Sequence, residues 1–149
     1  MSGKKMVNSM EDVVAKQKDF VVHSEDMAAF QKKYQLDSRV LGYGAFAMVK
    51  KATLENGEQR AIKIIDKLNF TEEERVGTMQ EIDILKNLIH PNIMRLYEVY
   101  ESKSQIILVT ELCDGHELFD EICSRRSFNE KDAALVTKQI LQAIAYCHE

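Results

Sequence analysis

Apolar and polar positions change rhythm several times along this chain, and each change marks an element. From Tyr34 the apolar residues Tyr34, Leu36, Val40 and Leu41 lead into a glycine-rich turn from Gly42 to Ala47. Residues 48–54 and 59–65 alternate well enough to predict two strands. Asn56-Gly57 between them predicts a hairpin, because both residues tolerate positive φ. The period then lengthens: Val76, Met79, Ile82 and Leu85 recur at helical spacing. Thr71 and Glu74 form a capping-box pattern ahead of them, and Glu72, Glu73 and Glu74 put negative charge where the helix dipole favours it. Pro91 ends that helix, and His90 before it is biased out of helical geometry. Residues 94–100 and 105–110 predict two more strands across a Ser102-Lys103-Ser104 turn. After the break at Asp114-Gly115 come a short helix over 117–124 and a longer one from about Glu130 to His148, capped by Asn129. Apolar clusters at 133–136 and 140–145 predict that this last helix is buried nearly all round.

The predicted order is strand, glycine turn, strand, hairpin, strand, helix, strand, strand and then two helices. That is an α+β arrangement, not the alternating βαβ of a doubly wound sheet. The first thirty residues are polar apart from Val13-Val14 and 20–22, and read as a weakly ordered extension with one short helix. The length fits at most one ordinary domain. A net charge of -4 lacks the basic excess of a general nucleic-acid binder. Three cysteines without a CxxC spacing suggest neither a zinc site nor a disulfide framework, and no metal site is expected. Met1 to Met10 lacks the apolar core of a signal peptide, and no run is long enough to cross a bilayer. The expected location is cytoplasmic, with the nucleus as alternative and no membrane partner.

The chemistry gathers around Leu41 to Val49, which reads G-x-G-x-x-A-x-V. A dinucleotide fingerprint needs a helix directly after the turn and an acidic residue about twenty positions on. Here the turn feeds a strand, and the later position holds Ala61-Ile62-Lys63. A glycine hairpin between two strands instead suits a lid over phosphates, since missing Cβ atoms let backbone N–H groups approach anionic oxygens. Lys63, flanked by apolar residues on the third strand, is either an edge lysine facing water or a fixed cation for phosphates. Glu81 is either a solvated helix charge or the carboxylate that compensates Lys63.

In combination these residues resemble the N-terminal lobe of a eukaryotic protein kinase. The family pattern L-G-x-G-x-x-G-x-V, A-x-K, a helical glutamate and H-P-N-I is met at 41–49, 61–63, Glu81 and 90–93. Residues 117–122, 128–134 and 146–148 look like the calcium/calmodulin-regulated group of Ser/Thr kinases, most of all its calcium-dependent protein kinases. The resemblance implies a five-stranded antiparallel sheet plus one regulatory helix, followed by the first helices of a C-terminal lobe. It divides the chain into an extension (1–30), an ATP-gripping N-lobe (34–110), a hinge (111–115) and the start of the C-lobe (116–149). It also implies that Lys63 holds the α- and β-phosphates of ATP and pairs with Glu81. By the same resemblance Gly42 and Gly44 should cover the phosphates, Leu41, Val49 and Ala61 should roof the adenine, and Thr110 falls at the gatekeeper position. The resemblance also implies that Glu111 and Cys113 supply hinge backbone groups and that Glu117 matches an acidic position facing the ribose or a basic residue of a peptide substrate. Leu85 and Leu96 match spine positions, where plain core packing is the preferred reading.

Two departures qualify the pattern. Ala47 replaces the third glycine, which predicts a stiffer loop rather than lost binding. The sequence given reaches Glu149 without the H-R-D-x-x-x-x-N and D-F-G motifs, so the matched positions include no Mg²⁺ ligand and no catalytic aspartate. Phosphoryl transfer to a protein substrate is thus expected of the complete enzyme and not of these residues alone. The alternative is a non-catalytic module that binds ATP or docks on a partner. No EF-hand loop is present, so a calcium-sensing region is expected outside this chain.

Overall fold

The computed structural model describes residues 21–24, 26–125 and 128–148. They divide into two compact units, the first running to Ile89 and resuming over Arg95–Leu112, the second comprising His90–Met94 and the residues from Cys113.

The first unit is a sheet covered on both faces. Its strands are β1 (Val21–Ser24), β2 (Tyr34–Tyr43), β3 (Ala47–Leu54), β4 (Gln59–Asp66), β5 (Leu96–Glu101) and β6 (Gln105–Glu111). Their order across the sheet is β1-β5-β6-β4-β3-β2. The five strands from β2 onward pair antiparallel, as expected. β1 adds a sixth strand, parallel to β5, with Val21 opposite Glu98 and His23 opposite Tyr100. Helix α1 (Met27–Lys33) follows β1, capped by the Asp26 carboxylate, which accepts from the Ala29 N–H at 2.9 Å. Both elements fall largely within the stretch read as a weakly ordered extension; residues 1–20 of that stretch lie outside the described residues.

Helix α2 (Glu72–Asn87) begins with the capping box read from Thr71 and Glu74. The Glu74 N–H donates to Thr71 Oγ1 at 3.2 Å, and the Thr71 N–H donates to Glu74 Oε2 at 2.8 Å. Its apolar stripe is narrower than the spacing suggested: Ile82 is buried, Met79 and Leu85 pack beside it, and Val76 is exposed. The hairpin between β3 and β4 turns at Gly57, whose φ of 82° only glycine adopts without strain.

Strand alternation assigns the core to two layers. On one face Phe30 and Tyr34 pack with Ala52, Ile62, Tyr100, Ile107 and Val109. On the other, Ile82 packs with Ile65, Leu96, Val99, Ile106 and Leu108. Leu96 and Val99 are three apart yet share a face, because a register shift between Leu96 and Glu98 inserts an extra residue into β5. β5 starts at Leu96 rather than at Met94. The chain before it is held in a turn, with the Ile93 N–H donating to the His90 carbonyl at 3.0 Å and the Asn92 N–H to His90 Nδ1 at 3.1 Å.

The second unit holds α3 (Leu118–Arg125) and α4 (Glu130–Cys147). Asn129 caps α4 through its side-chain oxygen, which accepts from the Asp132 N–H at 2.8 Å. His90 stacks on Tyr146 at 5.2 Å between ring centroids, and Asn92 donates to Gln142 at 3.2 Å. The expected burial of α4 on nearly all sides is not met: none of its residues is buried. Burial needs a covering layer, and among the described residues this unit offers α4 one further helix, α3, beside the 90–94 turn and short connecting segments. No helix among the described residues is long and apolar enough to cross a membrane.

Candidate active site

The glycine-rich turn joins β2 to β3. The Gly44 N–H donates to the Ala47 carbonyl at 2.7 Å, which closes the loop where the family's third glycine is replaced. The Asp66 N–H donates to the Phe46 carbonyl at 2.9 Å, and the Phe46 ring meets Phe70 edge-on at 5.8 Å. A Cβ added to Gly42 would find nothing within 4 Å, and one on Gly44 would rest at ordinary contact distance from Ala47. Neither glycine has a positive φ. Packing and backbone geometry within the chain therefore require glycine at neither position.

Register builds the rest. Val49 lies opposite Lys63, Lys63 opposite Leu108, and Ala61 opposite Thr110. Alternation then puts Val49, Ala61, Lys63, Leu108 and Thr110 on one face, the face that carries Ile82 of α2. Glu81 precedes Ile82, and its Oε1 lies 3.5 Å from Lys63 Nζ. Both side chains are more than a third exposed, at 37% and 56%. A pair so open to water contributes at most about 1 kcal/mol to folding, so what it offers is a fixed ammonium. Thr110 is buried, and its hydroxyl lies 3.5 Å from the Ala61 carbonyl and 3.3 Å from that of Glu111.

Leu41 sits at the irregularity in β2 between Val40 and Gly42 and is half exposed. Glu111 ends β6; its N–H donates to the Arg95 carbonyl at 2.8 Å, and its carboxylate accepts from the Arg95 N–H at 3.4 Å. Leu85 and Leu96 lie together in the α2-side core. The structure thus brings Lys63, Glu81, Val49, Ala61 and Thr110 together, with Leu41, Gly42, Gly44 and Glu111 in the same unit. Cys113 and Glu117 are exposed residues of the second unit. Cys113, Cys123 and Cys147 are free and exposed. Among the described residues no group of three or more His, Cys, Asp or Glu side chains could hold a metal ion.

Sequence reasoning missed two features of this unit. One is the Phe46–Phe70 contact, which ties the loop tip to the segment before α2. The other is Glu98, a carboxylate only 6% exposed on β5. It accepts from the Tyr34 hydroxyl at 3.0 Å, from the Tyr100 hydroxyl at 2.6 Å and from Lys33 Nζ. Burial pulls its pKa up, but the Lys33 ammonium and the two hydroxyls outweigh that and hold it below the usual carboxylate range. The signal was present: a charged residue between two tyrosines in the interior of the strand.

The family described as protein kinase domain matches residues 35–149. Calcium-dependent protein kinase 5 of Plasmodium berghei (strain Anka) is 44% identical over 133 residues, 89% of this chain and 23% of that protein. Its namesake in Plasmodium falciparum (isolate 3D7) is 48% identical over 116 residues, 77% of this chain and 20% of that protein. Calcium/calmodulin-dependent protein kinase type 1 of Macrobrachium nipponense is 42% identical over 125 residues, 83% of this chain and 36% of that protein. The chain therefore spans about a fifth to a third of the length of these relatives. A match over most of the chain, on a sheet and helix that pair Lys63 with Glu81, makes this chain a member of the protein kinase domain family.

Proposed function

We propose that these residues are the ATP-gripping part of a Ser/Thr protein kinase that transfers the γ-phosphoryl group of ATP to protein hydroxyls. The observation that carries this is the Lys63–Glu81 pair, 3.5 Å apart, on the sheet face shared by Val49, Ala61 and Thr110. ATP supplies the phosphoryl group; the chain's own residues bind and orient it. Lys63, its ammonium steadied by Glu81, neutralises the α- and β-phosphates. Gly42 and Gly44, lacking Cβ atoms, let phosphate oxygens beneath the loop approach its backbone N–H groups closely. Leu41, Val49 and Ala61 give the adenine an apolar roof, Glu111 and Cys113 offer it backbone groups, and Thr110 limits the depth behind it. Glu117 takes the ribose or a basic residue of the substrate.

No step is assigned to Mg²⁺, because the matched positions include no ligand for it. The catalytic-loop aspartate that would orient the acceptor hydroxyl is likewise absent from these residues, so we expect no turnover from the 149-residue polypeptide itself. Calcium regulation, named in the relatives, would act through residues outside this chain. A cytoplasmic location accords with this assignment.

Titration of the 149-residue chain with a fluorescent ATP analogue tests the assignment. We expect saturable binding that Lys63→Met weakens about tenfold or more, the loss of a charge-assisted phosphate contact. Equal affinity for the wild type and Lys63→Met, or no binding by either, would count against it.

A further inference from the structure

β5 is clamped from three sides, and Glu98 is where the clamps meet. Along its edge β1 pairs with it, Val21 facing Glu98. Over one face lies α1, whose Phe30 ring contacts Tyr100 at 5.2 Å and Tyr34 at 5.4 Å between centroids. The buried Glu98 carboxylate joins Lys33 at the end of α1, Tyr34 at the start of β2 and Tyr100 of β5 itself. Over the opposite face lies α2, whose Ile82 shares one core cluster with Leu96 and Val99 of the same strand. β5 is thus the plate between the N-terminal segment and the helix that carries Glu81.

Without β1, β5 would be held by β6 alone and would be the fraying edge of the sheet. Any shift of β5 moves the floor on which Ile82 rests, and Ile82 is the residue next to Glu81. Core packing is dense enough to pass such a shift on rather than absorb it. The same carboxylate is costly to bury, and the ammonium that faces it, Lys33, comes from α1, so seating of α1 and placement of β5 form one cooperative arrangement.

We propose that Glu98 is a positioning residue for the Lys63–Glu81 pair: by locking α1 onto β5 it fixes the seat of α2 from the far side of the sheet. The functional meaning rests on the kinase reading given above; the mechanical coupling does not. The segment 21–33 is then part of the phosphate-gripping unit, and α1 is the element through which that unit can be loosened.

Amide hydrogen exchange on the full 149-residue chain, read segment by segment, tests the coupling. In Glu98→Ala we expect protection to fall in α1 and, about tenfold, in α2 as well. The turn between β3 and β4 should keep its wild-type rate. Glu98→Gln, which keeps an acceptor for the tyrosines but loses the charge toward Lys33, should fall between. Should Glu98→Ala not fold, Phe30→Ala removes the seat from the α1 side and should give the same joint loss. If α1 exchanges freely while α2 keeps wild-type protection, the proposal is overturned.

The second arm titrates the fluorescent ATP analogue against the same variants at a temperature where they remain folded. A weakened affinity at unchanged folded fraction supports positioning. A lowered Tm with unchanged affinity reduces Glu98 to a structural role and overturns it. A wild-type chain that binds no analogue defeats the kinase reading alone, and the exchange arm then decides the coupling by itself.

Discussion

Glu98 shows how one residue writes its own pH profile. Its pKa is held below the ordinary 4.5, so the stability it confers is complete above that value and is lost as the pH falls below it. Tyr34 and Tyr100 are shifted the other way. Burial, and then the Glu98 charge and hydrogen bonds, raise both hydroxyls above the ordinary 10.0. Their contribution is present below pH 10 and declines as the pH rises beyond it. Urea midpoints measured across pH should therefore fall at both ends, below about 4.5 and above about 10. Glu98→Gln should flatten the acid limb; an unchanged limb would place the acid-sensitive group elsewhere. The other charged neighbours of the cluster are Lys33, Arg60 and Asp26. Thr110 carries a different prediction. Its short side chain lies beside Ala61, so in the proposed adenine site Thr110→Met should weaken bulky inhibitors more than the ATP analogue in competition titrations. Equal losses would remove it from the gate.

At the scale of the element, local signals can be tested one cap at a time. Thr71 accepts the Glu74 N–H and Glu74 returns the bond, so Thr71→Ala should lower stability by about 1 kcal/mol in urea denaturation. Gly57 holds a φ of 82°, and Gly57→Ala should cost about 1–2 kcal/mol, because a Cβ there crowds the carbonyl although no other residue is near. Both elements are legible in the sequence, since capping and hairpin chemistry lie within a few residues of chain. The start of β5 is not. Met94 continues the apolar pattern, but His90 folds back on Asn92 and Ile93 and delays the strand. The β5 bulge is also illegible, because it is defined only against β6.

At the scale of the whole chain, the two units differ in how they treat apolar residues. The first buries Ile62, Ile82, Tyr100, Ile106, Leu108 and Val109 almost completely. The second exposes Leu118, Phe119, Leu135, Ile140, Leu141 and Ile144. Periodicity predicted a buried α4, yet periodicity reports only what a helix could bury, and burial also takes a neighbour. Leu135 and Leu141 are 57% and 58% exposed. Replacing both by glutamate should leave the Tm of the 149-residue polypeptide within about 2 °C, the scale of a surface substitution. A large fall in Tm would mean that these residues are covered in solution.

Residue order alone was enough for the succession of elements, the caps, the two glycine-bearing turns and the family, because each is written in short-range spacing or in a motif whose order survives without coordinates. It also nominated Lys63 and Glu81 as partners, each with a solvated alternative when read singly. That they lie 3.5 Å apart follows from the register of β4 on β3 and β6 and from the packing of Ile82 on the sheet. The N-terminal clamp is wholly a product of tertiary packing. Lys33 and Tyr34 meet Glu98 across more than sixty residues of chain. No local pattern reveals such a meeting, because what selects it is the cost of leaving a buried carboxylate without partners.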